Sequence, residues 1–248
     1  MKNLTTLDYW INAQGKLDIT LNDNNIIENW INNYLINTKI KTSFEIGCYP
    51  GKFLTILGKK GIEVNGIDFI SDVVKLEGIF KEKGYNVGEF INTDFTKFKS
   101  LKTYDCVMSF GFIEHFLNWE EIMIKQLDLV SENGYVIIEV PNFRGVFQKL
   151  PRLIFDYKNY MRHNIDSMDI EKWNIILKNN GFEIISSEYF GGYDLWFENQ
   201  IKNHTLIKIR NGFINILKKI RNKTHPNYQE HSSFSCVMGI IAKRKSVK

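Results

Sequence analysis

Five strand-sized runs, KTSFEIG (41–47), IEVNGID (62–68), GEFINTDF (88–95), YDCVMSF (104–110) and GYVIIEVPN (134–142), alternate with segments of helical periodicity. This alternation is the strongest constraint on the fold. Continuous apolar stretches, clearest in YVIIEV (135–140), belong to strands buried on both faces, and helices between the strands supply the cover. Helices are expected over 24–37, where Ile26, Ile27, Trp30, Ile31, Tyr34 and Leu35 recur at helical spacing, and over 51–60, 71–83 and 118–130. Pro141 is expected to stop the fifth run, because it cannot continue a ladder. A further helix over 169–180 ends at Gly181, and strands follow at 182–190 and 233–244. In such an α/β sheet ligands sit beyond the carboxyl ends of the strands, where strand order reverses. The residues to inspect are therefore those at the strand ends.

Composition narrows the classes further. At 248 residues, 44% of them apolar and 24% charged, the chain can bury a sizeable core. No apolar run reaches the length of a membrane span, and MKNLTTLDYWINAQGKLD lacks the apolar core of a signal peptide. Cys48, Cys106 and Cys236 are scattered without a CxxC pair. That pattern fits a reducing cytoplasm and implies neither a disulfide framework nor a zinc site. The net charge of +4 is too mild to imply nucleic acid, but Lys202, Lys208, Arg210, Lys218, Lys219, Arg221 and Lys223 fall in one stretch without an acid.

The turn FEIGCYPGKFL (44–54) follows the first strand and leads into a helix, and three ligands compete for it. A triphosphate cradle needs G-x-x-x-x-G-K-[ST]; here the glycines are one residue too close and Phe53 stands in the hydroxyl position. A dinucleotide site needs G-x-G-x-x-G, but Cys48 and Tyr49 follow Gly47. An adenosyl group is the third possibility. Here the chain resembles class I S-adenosylmethionine-dependent methyltransferases, whose first motif is [DE]-x-G-x-G-x-G. Glu45, Gly47 and Gly51 match it, and Tyr49 replaces the middle glycine.

The resemblance spans about residues 40–145 and, less specifically, the last two strands. It implies a Rossmann-like, doubly wound α/β sheet of seven strands with the last strand antiparallel. It also implies one domain over 1–248: a helical segment (1–39), a cofactor core (40–145), and an acceptor-site insertion with C-terminal strands (146–248). Asp68 matches the acid that accepts hydrogen bonds from the ribose hydroxyls, with Phe69 beside it. Asp94 matches the acid that reads the adenine amino group, with Phe95 packed along the ring. Cys48 and Tyr49 in the turn, and Ser109, Phe110 and Gly111 in the fourth-strand motif, complete the implied cofactor set. The helix beginning near Gly51 is expected to offer free N–H groups to the cofactor carboxylate.

The fourth-strand motif continues as SFGFIEH rather than [DNS]-P-P-[YFW], which argues against methylation of base amino groups. His115 is the first candidate for a general base and His163 the second, since an imidazole accepts protons near neutral pH. Glu114 and His115 alone are two neighbours and do not make a metal site. The segment 142–168 is expected to build the acceptor pocket, with Asn142, Arg144, Arg162 and Asn164 as polar contacts and Glu114 as a further substrate contact from the fourth-strand motif. Gly191-Gly192 can bend to present Tyr193. The HN…M…GF…YFGG arrangement after the core (from 163–164 to 189–192) resembles that of bacterial methyltransferases of capsule and surface-polysaccharide synthesis, which implies O-methylation of a polar, anionic sugar, nucleotide-sugar or phosphate-like molecule. An RNA methyltransferase using the basic stretch and a non-catalytic binding protein remain alternatives. The basic stretch is expected to be a helix with Leu206, Ile209, Phe213, Ile216 and Ile220 on one stripe, serving as a lid, a dimer face, a membrane-surface helix or an appendage packed on its own domain.

Overall fold

The computed structural model describes residues 3–13, 17–21, 25–35, 38–198, 201–227 and 229–246. Helices α1 (Leu7–Ala13) and α2 (Ile26–Tyr34) precede strand β1 (Thr42–Ile46). Then come α3 (Leu54–Gly58), β2 (Glu63–Asp68), α4 (Leu76–Glu82), β3 (Val87–Asn92), β4 (Tyr104–Phe110), α5 (Trp119–Leu127) and β5 (Val130–Pro141). The second half contains α6 (Val146–Phe155), α7 (Tyr157–Tyr160), α8 (Ile170–Asn179), β6 (Phe182–Phe190), α9 (His204–Thr224) and β7 (Val237–Arg244).

The seven strands form one sheet in the order β3-β2-β1-β4-β5-β7-β6. Strands β1 to β5 pair in parallel, with Phe44 facing Asn65 on one side and Val107 on the other. Only β7, the last strand in the chain, runs against its neighbours β5 and β6. The order reverses between β1 and β4, so the crevice at their carboxyl ends is where a ligand belongs.

Strand side chains alternate between two cores. Phe44, Ile46, Val107, Val136 and Ile138 pack with Trp119, Ile122, Met123, Trp173 and Leu177 on one face. Val64, Cys106, Met108 and Ile137 pack with Trp30, Ile31, Leu54, Leu57, Leu76 and Phe80 on the other. Both α2 and α8 are capped in the ordinary way: the side chains of Asn25 and Asp169 each accept two backbone N–H bonds of the first turn. The three cysteines are free and buried, and no described helix is long and apolar enough to cross a membrane.

Several boundaries differ from expectation. The helix expected over 24–37 covers Ile26–Tyr34, while residues 24, 36 and 37 lie outside the described residues. The helix expected over 51–60 shrinks to five residues. The run over 71–83 opens with a 3-10 turn, Ser71–Lys75. Strand β3 ends at Asn92, so Asp94 lies in the loop beyond it. Strand β5 begins at Val130 rather than 134 and includes Pro141, which faces Val237 of the antiparallel neighbour. In α9, Phe213, Leu217 and Arg221 make the inward face, whereas Leu206, Ile209, Ile216 and Ile220 of the expected stripe are exposed. The reason is the neighbouring ring set: Phe213 meets Phe155, and the Arg221 guanidinium lies over Tyr193 and Phe234.

Candidate active site

A crevice of about 270 Å³ opens at the carboxyl ends of β1, β2 and β4. Its wall contains Glu45, Gly47, Cys48, Tyr49, Asp68, Phe69, Asp94, Phe95, Phe110, Gly111 and His115, all singled out in the sequence. Pro50, Lys52, Phe53, Phe112 and Phe116 join them, and the N-terminal segment adds Asn3, Thr5, Leu7 and Trp10.

The bend after β1 follows from two backbone hydrogen bonds, in which the N–H groups of Gly47 and Cys48 both donate to the Ile67 carbonyl. Gly47 has φ +72°, and a Cβ there would come 2.8 Å from the Phe112 ring, so both conformation and contact demand glycine. The Tyr49 ring lines the wall without filling the crevice, and its N–H donates to Oδ2 of Asp68 at 3.0 Å. The N–H of Ile70 donates to Oδ1 of the same carboxylate at 2.9 Å. Burial nevertheless pushes the Asp68 carboxyl up to about 6. Glu45 is fully desolvated beside it and is raised well above the usual carboxylate range, first by burial and then by the Asp68 charge. Its Oε2 has no hydrogen-bond partner.

These two acids decide what the turn can hold. A pyrophosphate would meet two buried carboxyls and their repulsion. A ligand with a cationic end and a ribose diol would instead supply the missing positive charge and donors. The orphaned Glu45 oxygen and the buried Asp68 thus fit S-adenosylmethionine, with its ammonium and sulfonium charges and no phosphate.

Other expected residues stand elsewhere. Gly51 has φ +98° and is hemmed in by Leu76, Ile19 and Phe80, so it shapes the turn against the core rather than the crevice. Ser109 is buried and donates to Oε1 of Gln126 at 2.8 Å, away from the wall. The helix start lies further along than expected: α3 begins at Leu54, and Thr55 and Ile56 donate to the carbonyls of Lys52 and Phe53. Asn142 clasps the carbonyls of Ser232 and Ser235 at 2.7 and 2.9 Å. Arg144 is ion-paired with Asp169 on the surface. Asn164 donates to the Phe116 carbonyl, and the Tyr193 hydroxyl to the Phe147 carbonyl. None of these four is in the crevice wall: Asn142, Asn164 and Tyr193 spend their polar atoms on backbone carbonyls, and Arg144 on a surface carboxylate.

Arg162 pairs with Glu198 and lies over the Tyr9 ring at 4.5 Å, which ties α1 down beside the site. Tyr9 completes the tie by donating to Oε1 of Glu198 at 2.6 Å. The Trp10 ring meets His115 edge-on at 4.9 Å, and His115 in turn is 4.8 Å from the ring of His163. Burial, and then the charge of its histidine neighbour, pull His115 down to about 3; burial pulls His163 down to about 4. Rings held that low stay neutral and take a proton from a hydroxyl poorly, which is opposite to the property that marked them as candidate bases. The contribution of residues 3–10 was missed in the sequence. LDYW (7–10) has two adjacent aromatics, but nothing in its pattern ties it to a strand end far along the chain.

This sheet order, with acids at the ends of its first two strands and a phosphate-hostile bend between them, defines a class I S-adenosylmethionine-dependent methyltransferase. The chain matches the methyltransferase-domain family model over residues 29–187 and belongs to that family. It is 25% identical over 138 residues to a Rickettsia prowazekii protein named ubiquinone biosynthesis O-methyltransferase. A Rickettsia felis protein of the same name is 27% identical over 139 residues. The matched regions cover 54% of this chain and 54% and 56% of those proteins, so the chain spans about half their length. Among solved structures, an S-adenosylmethionine-dependent methyltransferase from Archaeoglobus fulgidus superposes with a TM-score of 0.56 at 21% identity, covering 95% of this chain and 98% of that one. Magnesium protoporphyrin IX methyltransferase from Synechocystis, solved with S-adenosylhomocysteine, gives 0.57 at 14% identity, covering 96% and 93%. At these identities the solved structures speak for the fold alone.

Proposed function

We propose that this methyltransferase acts on a hydroxyl oxygen of a small acceptor with an aromatic ring or another flat apolar part. The observation that carries this reading is the apolar part of the crevice wall, where Leu7, Trp10, Phe112 and Phe116 accompany the single imidazole of His115, with the Trp10 ring set edge-on against it. A flat apolar ring gains area burial and edge or face contacts from such walls. The arginine and asparagine side chains on which a polar, anionic sugar acceptor would depend are occupied outside the wall. Helix α9, the basic element considered for RNA, contributes nothing to it either. The two relatives named as O-methyltransferases point the same way, over half their length.

When bound, S-adenosylmethionine supplies a methyl group on a positively charged sulfur, open to displacement. The residues of the chain bind, orient and shield. Asp68 is placed to accept from a diol and Glu45 to offset a positive charge, while Asp94 and Phe95 border the adenine end of the proposed site. Trp10 and the segment around it roof the acceptor end and exclude water, and alignment under such a roof is the main source of acceleration in a displacement of this kind. The test is incubation of the purified chain with labelled S-adenosylmethionine and a panel of catechols, hydroxyquinols, sugars, nucleotide sugars and RNA, followed by mass analysis. Label on phenolic oxygens is expected. Label confined to glycans or RNA would overturn the acceptor assignment.

A further inference from the structure

At the aromatic end of the crevice, three side chains from two distant segments converge. Glu114 and His115 lie on the 3-10 turn Ile113–His115 after β4, and His163 lies just beyond α7. One carboxylate oxygen and one nitrogen from each ring lie within 4.8 Å of one another. Oε1 of Glu114 is 3.7 Å from Nε2 of His115.

Hydrogen bonding determines which atoms are free. Nδ1 of His115 is 3.0 Å from the Arg162 carbonyl oxygen, and Nδ1 of His163 is 2.7 Å from that of Asn159. A carbonyl oxygen can only accept, so both rings carry their proton on Nδ1 and keep a lone pair on Nε2. Metal-bound imidazoles are anchored in the same way, by the far N–H. Glu114 is fully buried and its Oε2 has no hydrogen-bond partner, a costly arrangement unless something positive or protic completes it. The turn itself is pinned on both sides: the N–H of Leu4 donates to the His115 carbonyl at 2.8 Å, and the N–H of Asn164 to the Glu114 carbonyl at 2.6 Å.

We propose that Glu114, His115 and His163 bind one divalent transition-metal ion, zinc by ligand type, with a coordination position left for a ligand from the crevice. Two imidazoles and a carboxylate with an open fourth position form a recognised zinc pattern. Bonds of about 2.0–2.1 Å in a tetrahedron bring ligand atoms to roughly 3.4 Å of one another. From separations of up to 4.8 Å the triad therefore closes by at most about 1.4 Å per contact, within the reach of side-chain rotation. Access from the crevice is direct, since His115 and Gly111 line it and Oε1 of Glu114 is 3.5 Å from where a Cβ on Gly111 would stand. Arg162, which faces both rings, has its charge answered by Glu198.

The role of the ion rests on the hydroxyl acceptor proposed above. An acceptor oxygen taking the open position becomes more acidic, as water does on zinc, and its proton passes to solvent. This leaves an oxyanion fixed at the aromatic end of the crevice.

The test uses the purified full chain, stripped with a chelator and titrated with Zn²⁺ by calorimetry and with Co²⁺ by visible absorption. One equivalent per chain is expected, with the strong cobalt bands of a low-coordinate site. His163→Ala and Glu114→Gln are expected to weaken Zn²⁺ binding by about 100-fold or more, with S-adenosylhomocysteine affinity unchanged as proof of folding. His231→Ala, which breaks the other close histidine pair (ring centroids 4.6 Å from His225), is expected to change nothing. Should the triad variants not fold, X-ray absorption on the zinc-loaded wild type decides, with two imidazoles and one carboxylate oxygen expected. Binding below one equivalent, undiminished binding by the triad variants, or loss of binding in His231→Ala would overturn the site. Stoichiometric zinc without methyl transfer to any hydroxyl would sink the acceptor reading and leave the site standing.

Discussion

Replacement of Asp68 by Asn isolates the electrostatics of the cofactor end. Burial raises the Asp68 carboxyl from its ordinary 3.8 to about 6, so over that interval the folded chain keeps a proton that the unfolded chain has lost. For this group alone, stability is full below pH 3.8 and declines as pH climbs to about 6. The gap of about 2 between those values, at about 1.36 kcal/mol each, amounts to about 3 kcal/mol. Asn does not titrate. It also gives up one of the two acceptors that hold the N–H groups of Tyr49 and Ile70, but that loss is the same at every pH. The stability of the wild type relative to Asp68→Asn should therefore fall by about 3 kcal/mol between pH 4 and pH 7. Urea denaturation of both proteins across that range, followed by far-UV circular dichroism, measures the difference. Glu45, which Asp68 repels, relaxes in the variant and adds to the change in the same direction. Affinity for S-adenosylhomocysteine should also rise through pH 6 in the wild type and be flat in the variant. A stability difference that stays constant from pH 4 to pH 7 would refute the reasoning, because Asp68 would then titrate alike in the folded and unfolded chains.

Two further outcomes follow from the packing. Trp10→Ala removes the ring set against His115 and should raise the acceptor KM several-fold while leaving S-adenosylhomocysteine affinity within about two-fold; equal losses in both would show that Trp10 serves the cofactor instead. Trp173→Ala, at a fully buried indole whose N–H donates to the Ser167 carbonyl at 2.7 Å, should cost about 3–5 kcal/mol by urea denaturation, and a cost below about 1 kcal/mol would show that α8 is not part of the main core.

What could be read from the sequence was local. The bend at Gly47 and the acids Glu45, Asp68 and Asp94 stand at fixed offsets from runs whose apolarity marks them as strands, and the structure gathers all four around one crevice. The alternation of strand-sized and helical runs also carried the sheet, with the clearest apolar run in β5, which is buried on both faces. What failed was tertiary. Asn142, Arg144 and Tyr193 are polar and follow strands, which marks them as pocket candidates, yet their partners are backbone carbonyls or a surface acid that no spacing announces. Glu114 and His115 read as an isolated pair because the segment bearing His163 meets them only after the chain has passed through α6 and α7. The exposed Leu206, Ile209, Ile216 and Ile220 show the remaining weakness: periodicity identifies an apolar face but not which face a neighbour will cover.

The N-terminal strap has a consequence for turnover. None of the α1 residues is fully buried, and a backbone bridge from Asn3 to Phe116 and a few side-chain ties hold the strap to the rest. Peeling away such a segment costs far less than unfolding the sheet beneath it. Excision of residues 3–13 should accordingly yield a chain that still melts cooperatively but has lost its ceiling. In the intact protein, acceptor entry and product escape should then depend on how often that ceiling lifts, and its ties to His115 would couple the lifting to the acceptor end.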